Sequence, residues 1–157
     1  MIKKYQMTKK INTTPLEETE QQAFVIWLDS QISKGADIIY SAIPNSTFTT
    51  SWNQKRKNQA TGVRAGLPDM FLIVANMPLF IEMKRKQGGV VSKEQKVWIQ
   101  KINETTGVKA YLARGFEQAQ SIVKGVQMAA IMNENEKSKT GKTKIINNFV
   151  RSKTINN

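Results

Sequence analysis

The stretch from Met70 to Ile81 is almost wholly apolar except at its middle, where Asn76-Met77-Pro78 interrupts it. Short apolar runs bounded by turn residues are strands, so the chain is expected to double back here as a tight hairpin. That reversal governs what lies at its open end. Pro68-Asp69 precedes the first strand and Glu82-Met83-Lys84 closes the second. A loop centred between Asn76 and Met77 pairs Asp69 with Lys84 and sets Glu82 at the next position on the same face. Opposed residues of an antiparallel pair lie about 4.5–5.5 Å apart, and diagonal ones stay within reach of long side chains. Two carboxylates and an amine therefore converge. A slip of one residue would send Asp69 to the other face.

Carboxylate oxygens suit a hard cation such as Mg2+ or Mn2+, which keeps several waters and completes its shell from phosphate. Such an ion acidifies water and stabilises charge growing on phosphoryl oxygens. A lysine beside it can orient the water or neutralise the transition state, so the constellation points to phosphodiester hydrolysis. Glu-x-Lys alone is common on solvated strand faces. The preceding Pro-Asp and the hairpin that joins the two motifs set this case apart.

Charge narrows the partner. Of 157 residues, 24 are Lys or Arg and 12 are Asp or Glu, a net +12, which implies a polyanion: nucleic acid or an anionic membrane. No apolar run approaches the roughly 20 residues of a membrane span, and the basic start lacks the apolar core of a secretory signal. A soluble, cytoplasmic protein with no membrane partner is expected. Cysteine and histidine are both absent, which removes disulfides, thiolate or imidazole zinc sites, Ser-His-Asp triads and histidine general bases. No phosphate-binding G-x-x-x-x-G-K-[ST] loop occurs. Carboxylates and lysine remain.

The chain divides into a basic N-terminal tail (1–14), one domain (15–131) and a basic, flexible C-terminal tail (132–157). In the domain, Thr14-Pro15-Leu16-Glu17 reads as a helix start with Thr14 as N-cap, and Phe24, Val25, Trp27 and Leu28 follow on a helical period. A strand spans Asp37 to Ile43. The polar segment Ser46 to Leu67 reads as a binding loop, with Trp52, Lys55, Arg56, Lys57 and Arg64 facing DNA phosphates. After the hairpin, Ser92 and Gln95 fit a capping box that opens a helix to about Glu104. Val108 to Ala113 is a strand and Phe116 to Ile131 a helix. Trp27 and Trp98 are expected in the core. The order α-β-β-β-α-β-α gives an α/β fold, a central mixed sheet flanked by helices, with a right-handed crossover from Leu79 to Ala113 that makes the strands on either side of the second helix parallel.

Gly66-Leu67-Pro68-Asp69, Ile81-Glu82-Met83-Lys84 and Ser92-Lys93-Glu94-Gln95, in this order, resemble the virus-type replication-repair nuclease (VRR-NUC) family of the PD-(D/E)xK superfamily, from about Glu17 to Val123. Asn45 and Ala113-Arg114-Gly115-Phe116 are similar to further stretches of its pattern. The resemblance implies a restriction-endonuclease-like core in which Asp69 and Glu82 bind metal, the Met83 carbonyl adds a ligand and Lys84 is the catalytic lysine. It further implies that Glu17 approaches the metal directly or through water and that Gln95 holds phosphate or water. Asn45 and Arg114 would contact DNA. Glu17 and Gln95 also stand where helix caps want them, Asn45 could be a turn residue and Arg114 a surface charge. Stand-alone members resemble homodimers acting on branched DNA. The expectation is a metal-dependent, structure-specific endonuclease for substrates such as Holliday junctions. Alternatives are a flap-type or sequence-specific nuclease with the same site, or a non-catalytic DNA-binding protein.

Overall fold

The computed structural model describes residues 15–44, 51–104 and 107–154. The N-terminal tail and Asn45 lie outside the described residues. In chain order the elements are α1 (Glu17–Ser33), β1 (Ile38–Ala42), α2 (Trp52–Ala60), β2 (Met70–Val74), β3 (Met77–Lys84), α3 (Lys93–Asn103), β4 (Lys109–Arg114) and α4 (Phe116–Thr154). The four strands form one mixed sheet in the order β1-β2-β3-β4, antiparallel up to β3 and parallel between β3 and β4. The α/β architecture is as expected, with α2 added to the element order.

Strand alternation builds the core. Met70, Leu72 and Val74 on β2 and Leu79, Ile81 and Met83 on β3 point to one face, where Phe24 and Leu28 of α1 and Ala119 and Val123 of α4 cover them. Trp27 packs at the margin of this core and stacks on Phe24, with ring centroids 5.9 Å apart. On the other face, α3 lies over β4, with Asn103 Nδ2 donating to Ala110 O and Ala110 N donating to Asn103 Oδ1, both at 2.9 Å. Trp98 departs from expectation. It is only half-buried, on the margin of α3, and its indole N–H donates to Ala65 O at 3.0 Å.

Two local readings are corrected. The hairpin turns on Ala75-Asn76, both with positive φ (48° and 62°), a two-residue turn of the primed kind whose twist matches the strands. Val74 therefore pairs with Met77 and Met70 with Ile81. Carried one residue further, this register sets Asp69 across from Glu82 rather than Lys84. Pro78 is the physical reason. In the observed register it pairs with Ile73, next to the closing pair, in a non-hydrogen-bonded position where a missing N–H costs nothing. The expected loop would have put it in the closing hydrogen-bonded pair. Because the shift is two residues, the face assignment survives.

At the first helix, α1 begins at Glu17, with Leu16 as an N-cap that makes no side-chain bond. Glu17 is thus the first helical residue and not the third, so a capping box does not account for it; Glu17, Glu18 and Glu20 in the first turn complement the helix dipole.

The segment read as a binding loop contains α2, capped by Ser51 Oγ, which accepts from Gln54 N at 3.4 Å. At the other end of the chain, α4 continues past Ile131 to Thr154, so the boundary expected at residue 132 is not an element end. No proline interrupts that segment, and its Glu and Lys residues favour helix without any sustained apolar period. Among the described residues no helix is long and apolar enough to cross a membrane.

Candidate active site

The site forms where β2 stops short of β3. Asp69 sits one residue before β2, at the position that the β2–β3 register, continued by one residue, sets opposite Glu82, and the buried Pro68 precedes it. At this point Met83 N–H has run past the β2 ladder. Asp69 Oδ2 accepts from it at 2.9 Å, so the acid's position is fixed by the strand end that made it necessary.

Glu82 and Lys84 alternate onto the same face of β3 and are buried, at 0% and 5% exposure. Lys84 Nζ lies 2.7 Å from Glu82 Oε1, 3.0 Å from Glu17 Oε1 and 2.9 Å from Met83 O. The ammonium thus gathers three of the oxygen groups expected around a metal. Glu82 Oε1 also accepts from Gln95 Nε2. Glu82 Oε2 is different: it is buried with no hydrogen-bond partner. A buried carboxylate oxygen without a hydrogen-bond partner is costly.

The electrostatics follow from this crowding. Burial pushes the Glu82 carboxyl up to about 7, the Lys84 hydrogen bond pulls against it, and the charges of Asp69 and Glu17 add to the rise. Lys84 feels burial downward, but the carboxylates of Glu82 and Glu17 outweigh it and hold the amine above the usual lysine value.

Gln95 does two things with one carboxamide. Its oxygen accepts from Ser92 N at 2.8 Å while Ser92 Oγ accepts from Gln95 N at 3.1 Å, the expected capping box, and its Nε2 reaches Glu82. Capping and contact with the acids are not alternatives here. Among the three glutamates at the start of α1, Glu17 is the one that meets Lys84. Glu18 faces Gln22, and the buried Glu20 accepts from Phe116 N at 2.7 Å, capping α4.

Gly66 and Trp98 also shape the site, unforeseen as such. Gly66 has φ +83°, and a Cβ there would come within 2.6 Å of Glu94 Cβ and backbone carbon and 2.8 Å of Gln95 N. The Pro68-Asp69 approach is thus laid against the first turn of α3, and the Trp98–Ala65 bond pins it there. The glycine two residues before Pro-Asp was the available signal.

The residues expected to meet DNA are dispersed. Trp52, Lys55, Arg56 and Lys57 are exposed on α2. Arg64 folds its guanidinium back onto Gln59 O and Val63 O, at 3.2 and 3.3 Å. Arg114 is exposed, donating from Nη1 to Gly89 O at 2.9 Å.

The donors present fit a hard divalent ion. Among the described residues no group of three or more His, Cys, Asp or Glu is gathered to hold a metal, but Mg2+ characteristically takes one or two carboxylates and fills the rest of its shell with water and phosphate. Asp69, Glu82 with its orphaned oxygen, and the Met83 carbonyl make such a set.

No curated protein matches the chain. A solved VRR-NUC domain protein superposes with a TM-score of 0.57 at 21% identity, covering 71% of this chain and 87% of that one. Another VRR-NUC domain gives 0.45 at 15%, covering 69% and 94%. The VRR-NUC domain profile matches residues 2–117, well over half of the chain, and the chain therefore belongs to the VRR-NUC family of nuclease domains.

Proposed function

We propose that this protein is a Mg2+- or Mn2+-dependent DNA endonuclease that hydrolyses phosphodiester bonds in branched DNA, Holliday junctions among them, as a homodimer. One observation carries the chemistry: Glu82 is buried to 0% exposure beside Lys84, across from Asp69, with its second oxygen unpartnered. Acids crowded in this way repel a polyanion unless a cation lies between them. A DNA-binding protein without catalysis gives no reason to build such a site.

Asp69, Glu82 and the Met83 carbonyl would hold the ion, which supplies a Lewis acid when bound, acidifying water and drawing charge from phosphoryl oxygens. Lys84 Nζ touches Glu82, Glu17 and the Met83 carbonyl, and from there its ammonium would orient the attacking water and neutralise charge on the phosphate. Glu17 keeps that amine near the reacting centre. Gln95 fixes the Glu82 carboxylate and excludes alternative rotamers. Substrate choice by shape fits a pair of sites related by a two-fold axis, which can cut opposing strands of a symmetric junction. The excess of positive charge supplies affinity for phosphate without sequence information.

The test is incubation of pure protein with Mg2+ or Mn2+ and labelled linear, flap and four-way DNA, beside a chelator control and Glu82→Gln. Cleavage of the four-way substrate that disappears with chelator and with the variant is expected. Cleavage that persists in both rejects the site; cleavage confined to flaps rejects the junction assignment.

A further inference from the structure

We propose that α2 is a recognition arm for unpaired DNA, with Trp52 stacking on a base freed at the branch while Lys55, Arg56 and Lys57 hold the adjoining phosphates. The inference deepens the nuclease reading and rests on it for the place of the cut.

An indole facing solvent calls for a reason, because a large exposed apolar group is far more informative than an exposed charge. Trp52 is 71% exposed. The helix that carries it buries no residue at all. Its local bonds are polar, with Ser51 Oγ capping Gln54 N and Gln54 Nε2 donating to Asn58 Oδ1 at 2.7 Å. Trp52 therefore serves neither the core nor the helix.

The charge around it selects the partner. From Asp37 to Asp69 the chain contains no acidic residue between the two, while Lys55, Arg56, Lys57 and Arg64 all fall in that interval. This complementarity fits a polyanion and disfavours an acid-bearing protein face or a second copy of so basic a chain. Lysine and arginine hold the phosphates of any strand, paired or not. Within a duplex, both faces of a base are covered by its neighbours. An indole can stack only where a face is open, at an end, a gap or a branch, and this restriction converts a general anion surface into a shape-reading one.

Position ties the arm to the site. The C-terminal end of α2 rejoins the domain at a groove of about 500 Å³ whose walls include Asn58, Arg64, Leu67, Ile43 and Trp98. Ile43 N donates to Asp69 O at 2.7 Å, so one wall of the groove is bonded to the residue that begins the acid cluster. Trp52 stands about 9 Å further along the helix axis than Asn58, at the usual rise per residue. A strand crossing the acids at the end of β3 and lying in this groove reaches α2 next.

The experiment measures equilibrium affinity of the full-length protein, in chelator so that no strand is cut, for three labelled DNAs: a single strand, a blunt duplex and a fork with unpaired arms. Trp52→Ala is expected to weaken the single strand and the fork by about tenfold or more and the blunt duplex by less than about twofold, with Trp52→Phe retaining most of the difference. Replacing Lys55, Arg56 and Lys57 together by alanine should weaken all three DNAs alike. Equal loss on every DNA, no loss, or a change in self-association without selective loss overturns the proposal. Absence of metal-dependent cleavage with the stacking pattern intact overturns the nuclease reading alone.

Discussion

The end of β3 and the helix α2 handle charge in opposite ways. At β3, Glu82 and Lys84 are buried and every charge is bound to another, with Lys84 touching Glu17, Glu82 and the Met83 carbonyl. On α2, Lys55, Arg56 and Lys57 are exposed beside an exposed tryptophan and no acid. Buried charges are sensitive to the loss of a partner, because desolvation is no longer offset. Exposed ones are screened and nearly indifferent to stability, so their value lies in what they meet in solution. On the proposed reading, the first region takes a small cation and the second a long anion.

The contrast can be broken most sharply at Lys84. Lys84→Met leaves the Glu82 carboxylate buried without its cation, and a loss of about 3–5 kcal/mol is expected in denaturant unfolding; adding Glu82→Gln should recover a good part of it. A loss below about 1 kcal/mol would mean the pair is wetter than its burial implies. Gly66→Ala comes next. Its Cβ would meet the first turn of α3 at 2.6 Å from a positive φ, so a cost of about 1–3 kcal/mol is expected, together with weaker metal binding as Asp69 and Gln95 part. Unchanged stability would show that the approach to α3 is loose.

Stability of the metal-free protein should also depend on pH through Glu82. Its carboxyl is pushed up to about 7 in the fold, so folding favours the protonated form. That stabilisation is complete below the ordinary carboxylate range and is lost as pH rises through about 7, at no more than about 1.4 kcal/mol per pH unit. The difference between the chain and Glu82→Gln, followed by thermal melting from acid to mildly alkaline pH, isolates this slope; parallel profiles would contradict it. The smallest effect on stability belongs to α2. Replacing its three basic residues by alanine should shift unfolding by less than about 0.5 kcal/mol, yet make the salt dependence of DNA binding shallower by about two to three in logarithmic slope.

The same contrast explains what was legible beforehand. The hairpin and the convergence of Asp69, Glu82 and Lys84 on one face were readable because apolar alternation reports directly on strands, and a register error of two residues leaves faces unchanged. Pro78 carried the missing information, since a residue without an N–H cannot close a hairpin in a hydrogen-bonded pair. The helix α2 was not readable as a helix, because a segment that buries nothing has no period to detect. The continuation of α4 beyond Ile131 escaped for the same reason. Spacing made Gln95 readable as a cap and the resemblance placed it in the site, but its bond to Glu82 depends on how α3 docks beside Gly66.

The most direct test of the account is titration of the metal-free protein with Mn2+, followed by electron paramagnetic resonance, for the chain and for Glu82→Gln, which keeps shape and removes charge. The account predicts that the chain removes free Mn2+ from solution and that the variant loses this capacity together with DNA cleavage. Equal Mn2+ binding by both proteins would contradict it.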